Sequence, residues 1–226
     1  MAENQDDILD RKRRVRRQVA EVLARLSADR RRAASLAAAA RVADLPFIQA
    51  ARTVMAFLSL PTEIETWPII QAAWRRGQRI VVPRIDQPAR PPQVRVPGPG
   101  SRMGRASRRE IVAVVLEASD VASAALHPAV RPGPMGILEV PGAPPAPAGE
   151  IDVVLAPCQA VDRRGRRLGK GGGFYDRFLG RPDLVARVAA LALQEQLVEA
   201  VPTAAWDRPV EVVVTDAETI WVVKGP

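Results

Sequence analysis

The stretch GRRLGKGGGFYD (165–176) sets Gly169, Gly171, Gly172 and Gly173 around Lys170, with Arg167 just before them and Asp176 just after. Glycines let a backbone turn successive N–H groups toward one point and let a ligand approach without meeting a Cβ. The run IDVVLAP (151–157) upstream reads as a buried strand, and a helix beginning near Phe174 would aim its positive end at the same place. The carboxyl end of a strand is where open α/β sheets bind ligands. With the charges of Arg167 and Lys170 added, the chemistry is that of an anion cradle, phosphate above all. The spacing is not that of a Walker A loop, which needs GxxxxGK followed by Ser or Thr, nor that of GxGxxG after a first strand. Asp176 can share a magnesium ion with phosphate oxygens, or simply compensate charge in the first turn of the helix.

Composition narrows what else the chain can do. Its 226 residues are 47% hydrophobic and 26% charged, enough to build one α/β domain with a sizeable core. One cysteine, Cys158, and one histidine, His127, exclude an internal disulfide and thiolate or imidazole zinc clusters. Cys158 has no general-base histidine near it in sequence and reads as a small buried thiol. No apolar run approaches the ~18 residues of a membrane span, and the opening MAENQDDILDRKRR lacks the apolar core of a secretory signal. A cytoplasmic protein, expected to act as a monomer, follows. The chemistry then falls to carboxylates, cations and backbone donors.

The net charge of +8 is concentrated. Residues 11–32 hold ten basic side chains against Glu21 and Asp29, whereas residues 1–10 hold only acids. Lysine is scarce, at positions 12, 170 and 224 alone. Residues 8–26 follow a helical period, with Ile8, Val15, Val19, Val22 and Leu26 on one stripe. Lys12 falls inside that stripe and Arg16 at its margin, while Arg13, Arg14 and Arg17 point to solvent. A lysine on a buried face is costly unless an anion meets it or its stem snorkels to the edge.

Downstream, Ser27 is placed to cap an alanine-rich helix of about 28–44, and TVMAFLSL (53–60) reads as a buried strand. Thr66 caps a helix of about 67–76 with Pro68 in its first turn and Gly77 past its end, and RIVVPRI (79–85) is the next strand. Residues 86–109 read as a Pro/Arg-rich irregular loop, 110–119 fit strand or helix, and 127–149 read as loop. VAALALQ (188–194), VEVVVTD (210–216) and an edge strand TIWVV (219–223) complete the set. The βαβ rhythm predicts a single α/β domain over 1–226, with a mostly parallel sheet between helical layers.

These segments resemble those of the 5-formyltetrahydrofolate cyclo-ligases, or methenyltetrahydrofolate synthetases. DRRGRRLGKGGGFYDRFL (162–179) is similar to the family signature. In order around it, KRRVR (12–16) resembles the family's N-terminal lysine and arginine, and FLSLPTEIET (57–66) its first strand and folate-side glutamate. MGILEVP (135–141) is similar to its Gly-Ile-x-Glu-Pro, with Val140 inserted between Glu139 and Pro141. LALQEQLVEAVPTAAWD (191–207) resembles its C-terminal strand, glutamine and aspartate. Phe174 stands where tyrosine is usual, and Gly172 where some members carry a second basic residue.

The resemblance implies a three-layer fold like that of sugar-phosphate isomerases and CoA-transferases. It implies ATP- and Mg²⁺-dependent cyclisation of 5-formyltetrahydrofolate to 5,10-methenyltetrahydrofolate, through a phosphorylated formyl intermediate. Carried onto matching positions, Lys12, Arg16 and the run Arg167, Leu168, Gly169, Lys170, Gly171, Gly172, Gly173, Phe174 and Tyr175 would bind ATP. Leu58, Glu63 and the loop from Lys170 to Phe174 would border the folate, with Glu139 and the 86–109 loop as further wall. Lys170 and Arg167 would carry catalysis, Asp176 and Asp207 the metal, and Gln196 would be an additional site residue. A related ATP-dependent enzyme with another substrate, a sugar-phosphate isomerase or CoA-transferase-like enzyme needing no ATP, and a basic RNA-binding protein remain the alternatives.

Overall fold

The structure, a computed structural model, describes residues 5–86, 109–119, 121–133 and 137–222. Most of the Pro/Arg-rich loop expected at 86–109, the Met135–Gly136 part of MGILEVP, and Lys224 lie outside the described residues.

Two helices open the chain, α1 (Gln5–Ala24) and α2 (Ala28–Ala43). Ser27 lies between them in extended conformation, and its Oγ accepts the Arg30 N–H at 3.1 Å. A short α3 (Pro46–Ala50), started by Pro46, was not legible as a helix; it leads into β1 (Thr53–Met55). Then follow α4 (Trp67–Arg75), β2 (Arg79–Asp86) and β3 (Glu110–Leu116). Among its described residues, the region read as loop at 127–149 holds the two-residue strands β4 (Arg131–Pro132) and β5 (Leu138–Glu139) and a 3₁₀ turn beginning at Ala148. Strand β6 (Val153–Pro157) precedes a small hairpin, β7 (Ala160–Val161) and β8 (Arg167–Leu168), and then α5 (Phe174–Leu179). Strands β9 (Arg187–Leu191), β10 (Val212–Val214) and β11 (Thr219–Trp221) complete the order.

Seven strands form one sheet in the order β11-β10-β9-β6-β1-β2-β3. The five inner strands are parallel, and only the edge strands β3 and β11 run antiparallel to their neighbours. Strands covered on both faces read as unbroken apolar runs, as VVLAP and VVV do here. Alternate residues serve opposite faces. Val54, Val153 and Leu155 pack with Val19, Leu23, Ala38, Val42 and Ile70 of α1, α2 and α4. Met55, Val154 and Ala156 pack with Ile111, Ile151 and Phe178 of α5. The result is the expected three-layer α/β arrangement. Among the described residues, no helix is long and apolar enough to cross a membrane.

Three local expectations need correction. Regular strand structure stops at Met55, although residues 56–58 remain buried and the Ala56 N–H still donates to Val81 O at 3.0 Å. Thr66 stands at the start of α4 but does not cap it, because its hydroxyl donates to the Phe57 carbonyl instead. On α1 the buried face is carried by Lys12, Val19 and Leu23, and Val22 is 43% exposed, so the stripe is rotated from the one containing Val22. The antiparallel register of β3 against β2 settles residues 110–116 as strand.

Candidate active site

The site grows from the carboxyl end of β6. The chain leaves Pro157 through Cys158 and turns back by the β7–β8 hairpin, whose bend is organised by one carboxylate. Asp162, fully buried, accepts the N–H groups of Arg164, Arg166 and Val201 and the Arg166 guanidinium. Gly165 closes the turn at φ +73°, with no room for a Cβ against Val210. The hairpin brings Arg167 back beside the strand end, where the Gln159 N–H donates to Leu168 O at 2.7 Å. Leu168 itself is buried in the core, so its side chain faces away from any ligand and only its backbone shapes the loop.

From Gly169 to Gly173 the loop runs with Gly171 at φ +112° and Gly173 at φ +64°, the latter directly preceding α5. The N–H groups of Lys170, Gly171, Gly172 and Gly173 have no acceptor among the described residues. Consecutive free backbone donors of this kind make an anion-binding concavity. Arg16, reaching in from α1, donates through Nε to Gly169 O at 2.8 Å. Burial lowers the affinity of Arg16 for its proton, and Asp207 opposes that shift. Lys170 is 47% exposed and pairs with Glu63 Oε1 at 2.7 Å, while Glu63 Oε2 accepts the Leu60 N–H at 2.8 Å.

Arg167 is buried. Its Nη2 donates to Asp176 Oδ1 at 2.7 Å, its Nη1 to Pro157 O at 3.3 Å, and its guanidinium lies 5.7 Å from the Tyr175 ring. Arg167 Nε and the Tyr175 hydroxyl are buried without a partner among the described residues. Such orphaned donors are rare in finished interiors and mark places where something else supplies an acceptor. Lys12 pairs with Asp207 Oδ2 and lies 5.9 Å from the Trp206 ring, which answers the anomaly of a lysine on an apolar stripe. On the same α1, Arg13 pairs with Asp10 and Arg11 with Asp7.

Beside the loop lies a cleft of about 190 Å³. Its polar side is Glu63, Arg167, Lys170, Asp176 and the backbone of Gly169, Gly172 and Gly173. Its apolar side is Leu58, Phe174 and Tyr175 with Phe57, Leu60, Pro83, Ile85, Ile111, Ile137 and Cys158. The sequence marked the first three of these and missed the rest. Pro83, Ile85 and Ile111 line it only because β2 and β3 pair antiparallel at the sheet edge, which no local pattern announces. Gly171, Lys12, Arg16 and Asp207 stand just outside the cleft and close the far side of the loop.

Two expected contributors are placed elsewhere. Glu139 is buried and accepts the Ile85 N–H at 3.0 Å, so its carboxylate fastens β5 to β2 rather than lining the cleft. Gln196 is also buried and spends its amide on backbone. Its Oε1 accepts the Leu193 N–H at 2.8 Å, and its Nε2 donates to Cys158 O at 2.6 Å. Cys158 is inert by environment, since burial pushes its thiol up to about 12. Burial pushes the Tyr175 phenol up as well, so it remains a neutral donor.

An apolar cleft flanked by a cationic glycine loop can hold a flat heterocycle against a bound phosphate. The 5-formyltetrahydrofolate cyclo-ligase family model matches residues 8–216. The chain is 30% identical over 185 residues to the Escherichia coli (strain K12) 5-formyltetrahydrofolate cyclo-ligase, covering 81% of this chain and 88% of that one. It is 27% identical over 204 residues to the Mus musculus protein of the same name, covering 88% and 91%. Among solved structures, the Aquifex aeolicus 5,10-methenyltetrahydrofolate synthetase superposes with a TM-score of 0.71 over 95% of this chain and 94% of that one, at 23% identity. That likeness shows the shared fold. Fold, glycine signature and family match agree, and the chain belongs to the 5-formyltetrahydrofolate cyclo-ligase family, a family of ligases.

Proposed function

We propose that the protein uses ATP to cyclise 5-formyltetrahydrofolate to 5,10-methenyltetrahydrofolate, with release of ADP and phosphate. The observation that carries this reading is the run of N–H groups from Lys170 to Gly173, unpaired among the described residues, set between the Arg167 and Lys170 charges and beside an apolar cleft. Such a loop receives phosphate oxygens, and the cleft beside it receives the folate.

The formyl oxygen attacks the γ-phosphorus, and the bond to the ADP oxygen breaks. N10 then attacks the former formyl carbon, the carbon–oxygen bond breaks, and phosphate leaves as N10 gives up its proton. Phosphoryl transfer of this kind depends on alignment and charge neutralisation rather than on a protein nucleophile. Lys170 and Arg167 balance charge on the transferred group, and Lys12 and Arg16 hold the far phosphates. Glu63 accepts hydrogen bonds from the pterin, and Leu58 and Phe174 flank it. The reading takes the enzyme as cytoplasmic, where a lone unpaired thiol such as Cys158 is ordinary.

Asp176 and Asp207 fit a magnesium ion shared with phosphate. Asp176 takes Arg167 Nη2 and the Arg208 N–H through Oδ1, and Asp207 takes Lys12 and the Ala204 N–H through Oδ2. Each carboxylate therefore keeps its second oxygen clear of these bonds. Among the described residues no three metal-binding side chains cluster, and magnesium commonly takes only one or two carboxylates beside phosphate oxygens. Bound there, the ion would neutralise phosphate charge.

The test is the near-ultraviolet absorbance of protein mixed with 5-formyltetrahydrofolate, ATP and Mg²⁺, each omitted in turn. A methenyl chromophore that grows only with all three present is the expected result. ATP binding without any chromophore would assign the cleft to another substrate.

A further inference from the structure

Gly172, Phe174 and Arg177 form a stack on the rim of the site. A Cβ built on Gly172 would lie 2.5 Å from Phe174 Cε2, so the ring rests directly on the loop backbone. The Arg177 guanidinium sits 5.1 Å from the centre of that ring. Its Nη1 donates back to Gly172 O at 3.1 Å, and its Nη2 to Arg109 O at 3.1 Å. Gly173 leaves room for it, since a Cβ there would meet Nη1 at 3.0 Å. One side chain thus joins three things: the glycine loop, an aromatic wall of the cleft, and the backbone leading into β3, whose Ile111 also lines the cleft.

In a trans peptide the C=O of one residue and the N–H of the next point opposite ways. A guanidinium that holds Gly172 O therefore fixes the direction of the Gly173 N–H. Arg16 does the same at the other end of the loop, where its bond to Gly169 O sets the Lys170 N–H. The two outer donors of the run are oriented by arginines outside the cleft, one on α1 and one on α5.

We infer that Arg177 is a positioning residue, which pins the glycine loop in its anion-receiving form and holds Phe174 as a wall of the cleft, without touching either ligand. This rests on the function proposed above. Because the loop borders both ligands, loss of the pin weakens both. In Arg177→Ala the KM for ATP and that for 5-formyltetrahydrofolate should each rise about tenfold, roughly 1.4 kcal/mol of binding, with kcat reduced less than threefold. Arg177→Lys keeps the charge on the ring but cannot span two carbonyls, and should fall between wild type and alanine. Since Arg177 acts on the folate partly through Phe174, Arg177→Ala/Phe174→Ala should lose less folate affinity than the two single variants summed, a non-additivity expected of side chains in contact.

Wild-type KM values in Arg177→Ala would overturn the inference. So would strict additivity with Phe174→Ala, or a lowered melting temperature with kcat falling and both KM values unchanged. Calorimetric titration of ATP into wild type and Arg177→Ala, without folate, separates this inference from the reading it rests on. A wild type that binds ATP but forms no methenyl product refutes the folate assignment, and the tenfold loss of ATP affinity in the variant still supports the pin.

Discussion

Lys12 on the first helix forms a buried ion pair with Asp207, 195 positions further along the chain. The same Asp207 oxygen accepts the Ala204 N–H at 2.7 Å. A cation on an apolar helix face is thereby matched to the carboxylate proposed to face the nucleotide's metal. Removing one partner of a buried pair strands the other, which costs about 3 kcal/mol or more. Lys12→Met should lose about that much in urea denaturation, while Lys12→Met/Asp207→Asn loses less than the sum of the two singles. A Lys12→Met protein as stable as wild type would mean that the pair contributes nothing to folding.

Lys170 is different because it is half exposed, and its pairing with Glu63 is worth at most about 1 kcal/mol to stability. Lys170→Ala should therefore melt like wild type while kcat drops about 10²- to 10³-fold, the loss seen when a donor to developing charge is removed. Arg167→Ala should lose both turnover and stability, since it leaves Asp176 without its buried cation. Paired thermal melts and steady-state rates separate the two. Unchanged rates in Lys170→Ala would remove the loop from the reaction.

Glu63→Gln tests which ligand lies where. Its carboxylate is held by the Leu60 N–H and Lys170 on the polar side of the cleft. Losing one charge-assisted hydrogen bond to the pterin is worth about tenfold in folate KM, with the KM for ATP moving much less. The opposite pattern, read from initial rates at varied concentrations of each substrate, would exchange the two halves of the site.

Cys158 predicts a pH dependence of stability. Burial raises its folded thiol from 9.0 to about 12, so the unfolded chain gives up the proton first as pH rises. The stability held by the neutral thiol is complete below pH 9 and is lost between pH 9 and 12, at about 1.4 kcal/mol per pH unit. Tyr175, raised by burial too, adds to the decline from its ordinary value of 10.0 upward. Cys158→Ala should show a shallower fall than wild type in denaturation series from pH 8 to 11. Identical slopes would show that the thiol titrates as if exposed.

What the sequence disclosed and what it withheld follow from the range of the forces involved. The inner strands were legible because burial on both faces forces unbroken apolar runs such as VVLAP and VVV. The glycine loop was legible because one short segment supplies nearly all of its donors. Residues 110–116 were ambiguous because an edge strand takes its identity from its neighbour, here β2. The roles of Glu139 and Gln196 were misjudged for a related reason. A buried carboxylate or amide looks the same in sequence whether it waits for a ligand or holds distant backbone, as these do at Ile85 and Cys158. Arg177 carried no signal, because its partners Gly172 and Arg109 meet only in three dimensions.

The place of β1 in the sheet bears on how the protein is made. This strand, complete by Met55, lies between β2 and β6, and Asp152 just before β6 receives the Arg52 and Thr53 N–H groups. On the ribosome, one side of β1 gains β2 within some 25 residues, but the other waits for residue 153. At synthesis rates of about 5–20 residues per second, that interval lasts roughly 5–20 s. Throughout it the nascent chain carries an open strand edge, a template for pairing with other chains. The expected consequence is a soluble yield that rises when a chaperone is present during synthesis, a dependence that follows from strand order rather than from the stability of the finished enzyme.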